Sequence, residues 1–232
     1  MSGATTLLLP GNMCDARLWA GEVRGVLDHP IDVDLSQADS IEAMAERSLR
    51  SVDGPILPIG FSMGAIVALA IANRAPERLA GLALLDVNPA ADLPERAVVR
   101  PRQQADVESG QLLNVVVEEL KPKYLARDNC SDRRLLDLLR DMAMALGPAT
   151  FVRQSEALRT RGSYSHVVAE LGCPVFVACG AEDRLCLPEW HQDLATQACR
   201  PTLHIFSGAG HMLPLEQPAA LAMALGAWLK EL

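Results

Sequence analysis

The chain has no apolar run long enough to cross a membrane, few aromatic residues and no excess of basic charge. A membrane-spanning helix needs roughly 18 or more apolar residues, and no run approaches this length. The N-terminus also lacks the basic region of a secretory signal peptide, so a cytoplasmic location is expected. The formal net charge of −8 disfavours non-specific binding of nucleic acid, which requires a basic face.

The cysteines contain no C-x-x-C pair, and their spacing matches neither a zinc site nor a disulfide framework. Free thiols in a reducing compartment are the simpler interpretation. The six residues concerned are Cys14, Cys130, Cys173, Cys179, Cys186 and Cys199.

Half of the 232 residues are apolar but only 4% are aromatic, which predicts a large aliphatic core. Apolar runs of strand length alternate with helical patterns. This alternation is typical of an α/β fold with a mostly parallel sheet, here of about six strands, and helices on both faces. The strand-like runs lie at 5–9, 31–35, 56–59, 79–87, 174–179 and 203–206, and the helical patterns at 15–27, 36–52, 65–72, 188–198 and 218–229.

The stretch 88–165 breaks this alternation because it holds helical patterns but no good strand. The patterns lie at 111–120, 133–146 and 149–158. About eighty helical residues between two strands are too many for a simple connection. We therefore predict an inserted helical cap, or lid, at 88–165, and a core formed by residues 1–87 and 166–232.

The most informative motif is the pentad 60–64, in which Ser62 has a glycine two positions away on each side. A strand-like run precedes the pentad and a buried helical pattern follows it. Strand, sharp turn and helix form the context of a nucleophile elbow, which exposes the serine hydroxyl at the carboxyl end of a sheet. The glycines allow strand and helix to approach closely. A glycine-rich turn without chemistry is the alternative interpretation.

A serine hydroxyl needs a general base within hydrogen-bond reach, and the base needs an acid that orients it. His211 and Asp183 are the candidates, because each follows a predicted strand at the sheet edge where Ser62 is expected. Two other carboxylates are rivals to Asp183. They are Glu182, its neighbour in the chain, and Asp86, at the end of the run 79–87.

The other histidines are more simply explained as structural or surface residues. His29 precedes a proline in a turn, and His191 is assigned to a surface helix. His204 lies inside a predicted strand, and His166 follows the predicted cap.

Four motifs, in the same order along the chain, resemble those of the α/β-hydrolase superfamily. Residues 7–12 resemble its strand and oxyanion loop, and residues 60–64 resemble its nucleophile elbow. Residues 180–183 resemble the loop that carries the acid, and residues 210–218 resemble the histidine loop and the start of the final helix. The small size and helical cap are most similar to the esterase and carbon–carbon hydrolase branch, which includes the pimeloyl-carrier-protein methyl esterases.

The sequence departs from the family pattern in two places. Many relatives have His-Gly where this chain has Pro10-Gly11, so any role of that histidine is absent. The first strand-like run begins at Thr5, without the N-terminal hairpin of larger relatives, which again predicts a sheet of about six strands.

The resemblance implies that Ser62 is the nucleophile, His211 the general base and then acid, and Asp183 the orienting carboxylate. The backbone N–H groups of Met63 and Asn12 would form the oxyanion hole. The implied enzyme is a serine hydrolase that cleaves a carboxylic ester or thioester through an acyl-enzyme, with no metal or organic cofactor. Carbon–carbon bond hydrolysis, perhydrolysis and a non-enzymatic, ligand-binding role are the open alternatives.

The charge of the predicted cap bears on the substrate. Residues 88–165 hold 12 Lys and Arg against 11 Asp and Glu, a net charge of +1, whereas the remainder carries −9. A solvated surface with intrahelical ion pairs is the ordinary explanation. The alternative is that cap arginines attract a small-molecule ester or thioester that is anionic or bound to a phosphopantetheine carrier. Guanidinium groups suit such ligands because they bind carboxylates and phosphates through two parallel hydrogen bonds.

Overall fold

The computed structural model describes residues 3–19, 21–120 and 123–232, and its centre is a six-stranded parallel sheet. The predicted α/β fold is therefore confirmed. Because all neighbouring strands are parallel, their carboxyl ends lie at one edge of the sheet. The strands are β1 (Thr5–Leu9), β2 (Ile31–Asp32), β3 (Ile56–Phe61), β4 (Leu82–Leu85), β5 (Val175–Gly180) and β6 (Pro201–Phe206), in the order β2-β1-β3-β4-β5-β6.

The helices that pack on the sheet are α1 (Glu22–Gly25), α2 (Ile41–Arg50), α3 (Met63–Arg74), α7 (Pro188–Gln197), α8 (Leu213–Glu216) and α9 (Pro218–Leu229). The single helix predicted at 15–27 is wrong. A 3₁₀ turn at Ala16–Trp19 is separated from α1 by Gly21, whose φ of 62° cannot continue a right-handed helix. No described helix combines the length and the apolar character that crossing a membrane would require.

Both faces of the sheet are covered at β1, β3, β4 and β5, which explains why these strands are buried apolar runs, whereas the edge strands β2 and β6 are partly exposed. Leu7, Leu9 and Val177 belong to the apolar cluster formed with α2, α3 and α7. Leu8 and Phe176 belong to the cluster on the other face, which includes residues of α1 and α9. These two layers fix the sheet, and with it the loops at its carboxyl edge.

The connection between β4 and β5, residues 88–165, is called the helical segment. Its described parts, 88–120 and 123–165, contain no strand. The helix at Arg133–Thr160 is broken at Gly147, whose φ of 77° and ψ of 175° are not helical, and this break falls between the two patterns predicted from the sequence there. The helices are α4 (Pro94–Asp106), α5 (Leu112–Asn114) and α6 (Arg133–Thr160), with wider helical turns at Val107–Gln111 and Val115–Leu120.

The helical segment packs on the loops at the carboxyl edge of the sheet. Val107, Val115 and Phe151 form a small buried cluster with Met13, which lies in the loop after β1. The backbone N–H of Arg127 donates a hydrogen bond to a carboxylate in the loop after β5. The segment therefore borders the edge of the sheet at which the sequence places its functional residues.

Candidate active site

Ser62 lies at the sharp turn between β3 and α3, as the elbow motif predicts. Its φ of 52° is in the left-handed region, which is strained for any residue except glycine. A Cβ atom at Gly60 would lie 2.5 Å from the Cα atom of Ala65. One at Gly64 would lie 2.0 Å from the carbonyl oxygen of Leu9. Only glycine fits at either position, and so the turn can bring the serine hydroxyl to the sheet edge.

His211 reaches Ser62 from the loop after β6. Its Nε2 lies 2.9 Å from Ser62 Oγ, and its Nδ1 lies 2.8 Å from Asp183 Oδ2. The imidazole ring is buried beside the rings of Phe61 and Tyr124, with centroids 5.3 and 5.7 Å away. The structure thus joins three of the residues singled out in the sequence, from three different loops, by two hydrogen bonds.

Asp183 follows β5, and its surroundings favour the ionised carboxylate. Its Oδ1 accepts hydrogen bonds from the backbone N–H groups of Leu185 at 2.7 Å and Cys186 at 2.9 Å. Burial raises the pKa of Asp183, but His211 and these N–H groups together hold it below its ordinary value. A carboxylate at Nδ1 fixes the tautomer of His211, so that Nε2 can accept the proton of the Ser62 hydroxyl.

Neither of the two rival carboxylates forms a hydrogen bond with His211 in the described part of the chain. Glu182 accepts a hydrogen bond from a backbone N–H of the helical segment. Asp86 accepts one from the N–H of Gly180 at 3.0 Å, and its second oxygen is buried without a partner among the described residues. Burial, followed by the charge of Asp183, raises the pKa of Asp86 well above its ordinary value, which favours the neutral acid.

Asn12 and Met63 line the pocket beside Ser62. Neither of their backbone N–H groups donates to another residue in the described part of the chain. Gln154 of α6 holds the loop after β1, because its Oε1 accepts hydrogen bonds from Asn12 Nδ2 at 3.2 Å and from the N–H of Met13 at 2.8 Å. No motif in the sequence pointed to Gln154.

A sequence model of the alpha/beta hydrolase family matches residues 7–224, which is nearly the whole chain. The protein is an α/β-hydrolase. The family inferred from the four motifs is thus confirmed. No curated protein sequence matches the chain significantly.

Solved structures with the same fold as this α/β-hydrolase include esterases and a lactonase. A thermophilic esterase from Thermogutta terrifontis, solved with malate bound, has a TM-score of 0.88 and 24% identity over 99% of this chain and 90% of its own. The enol-lactonase from Burkholderia xenovorans has a TM-score of 0.81 and 16% identity over 99% and 92%. An esterase from Exiguobacterium antarcticum has a TM-score of 0.80 and 14% identity over 99% and 92%. At these identities the likeness shows the fold alone.

Glu216 supports the His211 loop of this α/β-hydrolase. Its Oε1 accepts hydrogen bonds from the N–H groups of Gly210 at 2.8 Å and Met212 at 3.1 Å, the two neighbours of His211. Its Oε2 accepts one from the N–H of Ala126 in the helical segment at 2.7 Å. Glu216 lies within the motif 210–218, but the sequence alone did not reveal these contacts. One carboxylate thus ties the histidine loop to the helical segment.

His191 lies in the core, and its prediction as a surface histidine is wrong. The residue is 0% exposed, and its Nε2 accepts the backbone N–H of Val87 at 2.8 Å. Nδ1–H therefore donates to the carbonyl oxygen of Leu187 at 3.0 Å. Burial lowers the pKa of His191 to about 4. Through this hydrogen bond, the neutral His191 links α7 to Val87, the residue that follows Asp86.

Asp183, Cys186 and His211 have potential metal-ligand atoms within 4.8 Å of one another. Both ring nitrogens of His211 already make hydrogen bonds. Burial, and then the charge of Asp183, raises the pKa of the Cys186 thiol well above its ordinary value. A metal binds the thiolate rather than the thiol, so the protonated Cys186 is a poor ligand. The hydrogen bonds among Ser62, His211 and Asp183 therefore explain this cluster better than a metal site does.

A pocket of about 250 Å³ opens in front of Ser62. Ser62 and His211 line it from the sheet edge, whereas Arg96, Arg100 and Arg161 line it from the helical segment. Small-molecule sites usually measure roughly 300–1,000 Å³, so this pocket suits a compact ligand.

Proposed function

We propose that this α/β-hydrolase cleaves a carboxylic ester or thioester, with Ser62 as the nucleophile. The observation that carries the proposal is the pair of hydrogen bonds that link Ser62 Oγ to His211 Nε2 and His211 Nδ1 to Asp183. A serine hydroxyl is a weak nucleophile at neutral pH. This arrangement supplies both the base that activates it and the carboxylate that orients the base.

In the first half of the reaction, Ser62 Oγ attacks the carbonyl carbon while His211 Nε2 takes the hydroxyl proton. The carbonyl oxygen becomes an oxyanion, which the backbone N–H groups of Asn12 and Met63 stabilise. Loss of one such donor typically raises the barrier by about 3–4 kcal/mol. His211 then gives its proton to the leaving alcohol or thiol, and the acyl group stays on Ser62.

In the second half, His211 takes a proton from a water molecule as the water attacks the acyl carbonyl. Collapse of the second tetrahedral intermediate releases the carboxylic acid and restores the Ser62 hydroxyl. Asp183 stabilises the imidazolium that forms in each half without taking its proton. The fixed Nδ1–H allows the same Nε2 atom to act as base and as acid.

We assign the helical segment as the cap of this active site, with residues 1–87 and 166–232 as the core. Two contacts support the assignment. The carbonyl oxygen of Tyr124 accepts the backbone N–H of His211 at 2.7 Å. The guanidinium of Arg96 donates to the carbonyl oxygen of Leu185 at 2.9 Å, in the loop that follows Asp183. The cap therefore contacts both loops that orient the nucleophile.

The proposed substrate is a small-molecule ester or thioester, in keeping with the size of the pocket. The basic residues of the cap favour an anionic ester, free or bound to a carrier. The Thermogutta terrifontis esterase was solved with malate, a dicarboxylate, bound. The cytoplasmic location stays a prediction from composition.

Hydrolysis of short-chain nitrophenyl esters and matched thioesters by wild-type and Ser62→Ala proteins tests the proposal. The wild type should release the alcohol or thiol with many turnovers, and Ser62→Ala should release none above buffer. Equal rates from identically prepared proteins would contradict the proposal. Hydrogen peroxide and a vinylogous diketone, added to the same panel, distinguish ester hydrolysis from perhydrolysis and carbon–carbon cleavage.

A further inference from the structure

The wall that the helical segment contributes to the pocket carries a buried hydrogen-bond donor without an acceptor. Asn88 lines the pocket and is 6% exposed. Its Oδ1 accepts the N–H of Ala90 at 3.0 Å, but its Nδ2 is buried and has no partner within the described ranges. A buried donor left without an acceptor is unfavourable, so the acceptor is expected from a molecule that enters the pocket.

Arg161 and Arg100 line the same pocket and share one carboxylate. The side chain of Arg161 is 3% exposed, and its Nη1 donates to Asp92 Oδ1 at 2.9 Å. Arg100 donates to Asp92 Oδ2 through Nε at 2.7 Å and to Oδ1 through Nη2 at 3.2 Å. Arg161 Nη2 and Arg100 Nη1 have no acceptor in the part of the chain that the structure describes.

Arg96 adds a third guanidinium that has no carboxylate partner among the described residues, since its hydrogen bond goes to a backbone carbonyl. The wall thus carries three positive guanidinium groups and one negative carboxylate, that of Asp92, which gives it a net charge of +2. Burial lowers the pKa of Arg161, and the like charge of Arg100 adds to this effect, although Asp92 opposes it. An anion bound here would stabilise these cations.

The other charged residues that line the pocket do not neutralise this wall. Glu119 is already bonded to Arg102 and Gln103. Lys123 is exposed and adds positive charge.

We propose that this wall is a carboxylate-binding subsite formed by Asn88, Arg96, Arg100 and Arg161. The substrate is then an ester with a free carboxylate, such as a half-ester of a short dicarboxylic acid. This inference rests on the proposed ester hydrolysis at Ser62, which lines the same pocket. Planar guanidinium groups bind both oxygens of a carboxylate, and the Asn88 amide adds a further donor. The pocket volume of about 250 Å³ limits the chain between the two ends to a few carbons.

A matched pair of substrates tests the subsite. One is monomethyl glutarate, and the other is the neutral methyl ester in which an isopropyl group replaces the carboxylate. The measured quantity is kcat/KM for the half-ester divided by kcat/KM for the neutral ester, at neutral pH and low salt. We expect a ratio of about ten or more, because one hydrogen bond to a charged group contributes roughly 1.5–3 kcal/mol.

Three variants show whether the ratio depends on this wall. Arg96→Gln removes a charge whose hydrogen bond among the described residues goes to a backbone carbonyl, and it should lower the ratio about tenfold. Arg96→Lys keeps the positive charge but lacks the planar guanidinium group, and it should retain part of the preference for the half-ester. Arg134→Gln removes a cation at an exposed position that does not line the pocket, and it should leave the ratio unchanged.

Calorimetric binding of glutarate to Ser62→Ala separates this inference from the proposed function. Binding that Arg96→Gln weakens supports the subsite even if neither ester is hydrolysed, and then the proposed function alone fails. Hydrolysis of the neutral ester without preference for the half-ester overturns the subsite and leaves the proposed function standing. A ratio that Arg96→Gln does not change, or no binding of glutarate to Ser62→Ala, also overturns the subsite.

Discussion

The two sides of the pocket differ in how completely their polar groups are bonded. At the sheet edge, Ser62 Oγ, both ring nitrogens of His211 and both carboxylate oxygens of Asp183 have hydrogen-bond partners. On the wall of the helical segment, Asn88 Nδ2 has none among the described residues, and Arg96 has no carboxylate there. The side chains of Ser62, His211 and Asp183 are therefore fully hydrogen-bonded without a ligand, whereas those of the opposing wall are not.

This difference corresponds to the separate demands of reaction and recognition. Groups that move protons must be in position before the substrate arrives, and loops at the ends of parallel strands hold them there. Groups that select a substrate discriminate best when only the correct ligand supplies the missing hydrogen-bond partners. Substitutions at the sheet edge should thus slow the hydrolysis of every ester, and substitutions at the wall should change which ester is preferred.

Ser62→Ala should have the largest effect. Alanine fits the turn but has no hydroxyl, so kcat should fall by roughly 10⁶-fold, as for the nucleophile of another serine hydrolase. Circular dichroism should show an unchanged fold, and glutarate should still bind. Turnover near the wild-type rate, in protein free of contaminating esterase, would refute the assignment of the nucleophile.

Asp183→Asn should lower kcat by about 10⁴-fold, the effect of the same change in another triad enzyme. The amide can hold His211 in the wrong tautomer and cannot stabilise its imidazolium. The rate should fall for the half-ester and for the neutral ester alike, measured as kcat for each.

The rival carboxylates provide matched controls for Asp183→Asn. Because the neutral acid is favoured at Asp86, Asp86→Asn keeps the acceptor for the Gly180 N–H, replaces a neutral group by another, and should have a much smaller effect. Glu182→Gln removes a charge whose hydrogen bond comes from the N–H of Arg127 and not from His211, so its effect should also be small. If Asp86→Asn were the most damaging of the three, the orienting acid would lie after β4.

Acidification should destabilise the fold through His191. Its pKa is about 4 in the folded protein against 6.5 ordinarily, so between these values the unfolded chain binds a proton that the folded chain does not. The free energy of unfolding should therefore decrease as the pH falls from about 6.5 to about 4, by up to about 3 kcal/mol. Denaturant titrations across this window measure the loss.

His191→Gln is the control for this loss, because an amide can replace both hydrogen bonds of the ring without titrating. The variant should lose less stability across the window, and an unchanged loss would refute the role of His191.

Glu216→Gln should have a moderate effect on stability and rate. The amide keeps one acceptor oxygen but turns an NH₂ group toward backbone N–H donors, so the free energy of unfolding should fall by about 2 kcal/mol. Denaturant titration measures this change. An unchanged stability would show that Glu216 does not hold the loops together.

Salt should have the smallest effect and should act only through the wall of the helical segment. The screening length falls from about 10 Å at 0.1 M to about 3 Å at 1 M, so capture of an anion should weaken by a few-fold. The value of kcat/KM for monomethyl glutarate should therefore decrease with added salt, and that for the neutral ester should not. Equal salt dependence of the two esters would mean that the positive charge of the helical segment does not attract the substrate.

The sheet and the positions of the main site residues could be predicted from the sequence for a simple physical reason. Apolar runs give parallel strands, and the residues that directly follow such strands meet at one edge. Ser62, Asp183 and His211 each follow such a strand, so their proximity was expected from the parallel sheet, and the motifs favoured Asp183 over Glu182 and Asp86. The prediction of one helix at 15–27 was wrong because the spacing of apolar residues gives no sign that Gly21 has a positive φ.

The other contacts could not be predicted because they depend on segments that are far apart in the chain. His191 is buried by packing against the end of β4, 104 positions away in sequence. Asn88 and Arg161 line one pocket only because the helical segment folds back on the sheet edge. The local pattern of apolar and polar residues carries no information about packing between such distant segments.

Labelling with a fluorophosphonate, followed by peptide mass spectrometry, tests the central claim most directly. These reagents react with a serine hydroxyl only where a base activates it. We expect one adduct per chain, on Ser62, that is absent from Ser62→Ala and forms far more slowly in Asp183→Asn than in Asp86→Asn. Folded protein that takes no label, or takes it on a residue other than Ser62, would contradict the claim that this serine is an activated nucleophile.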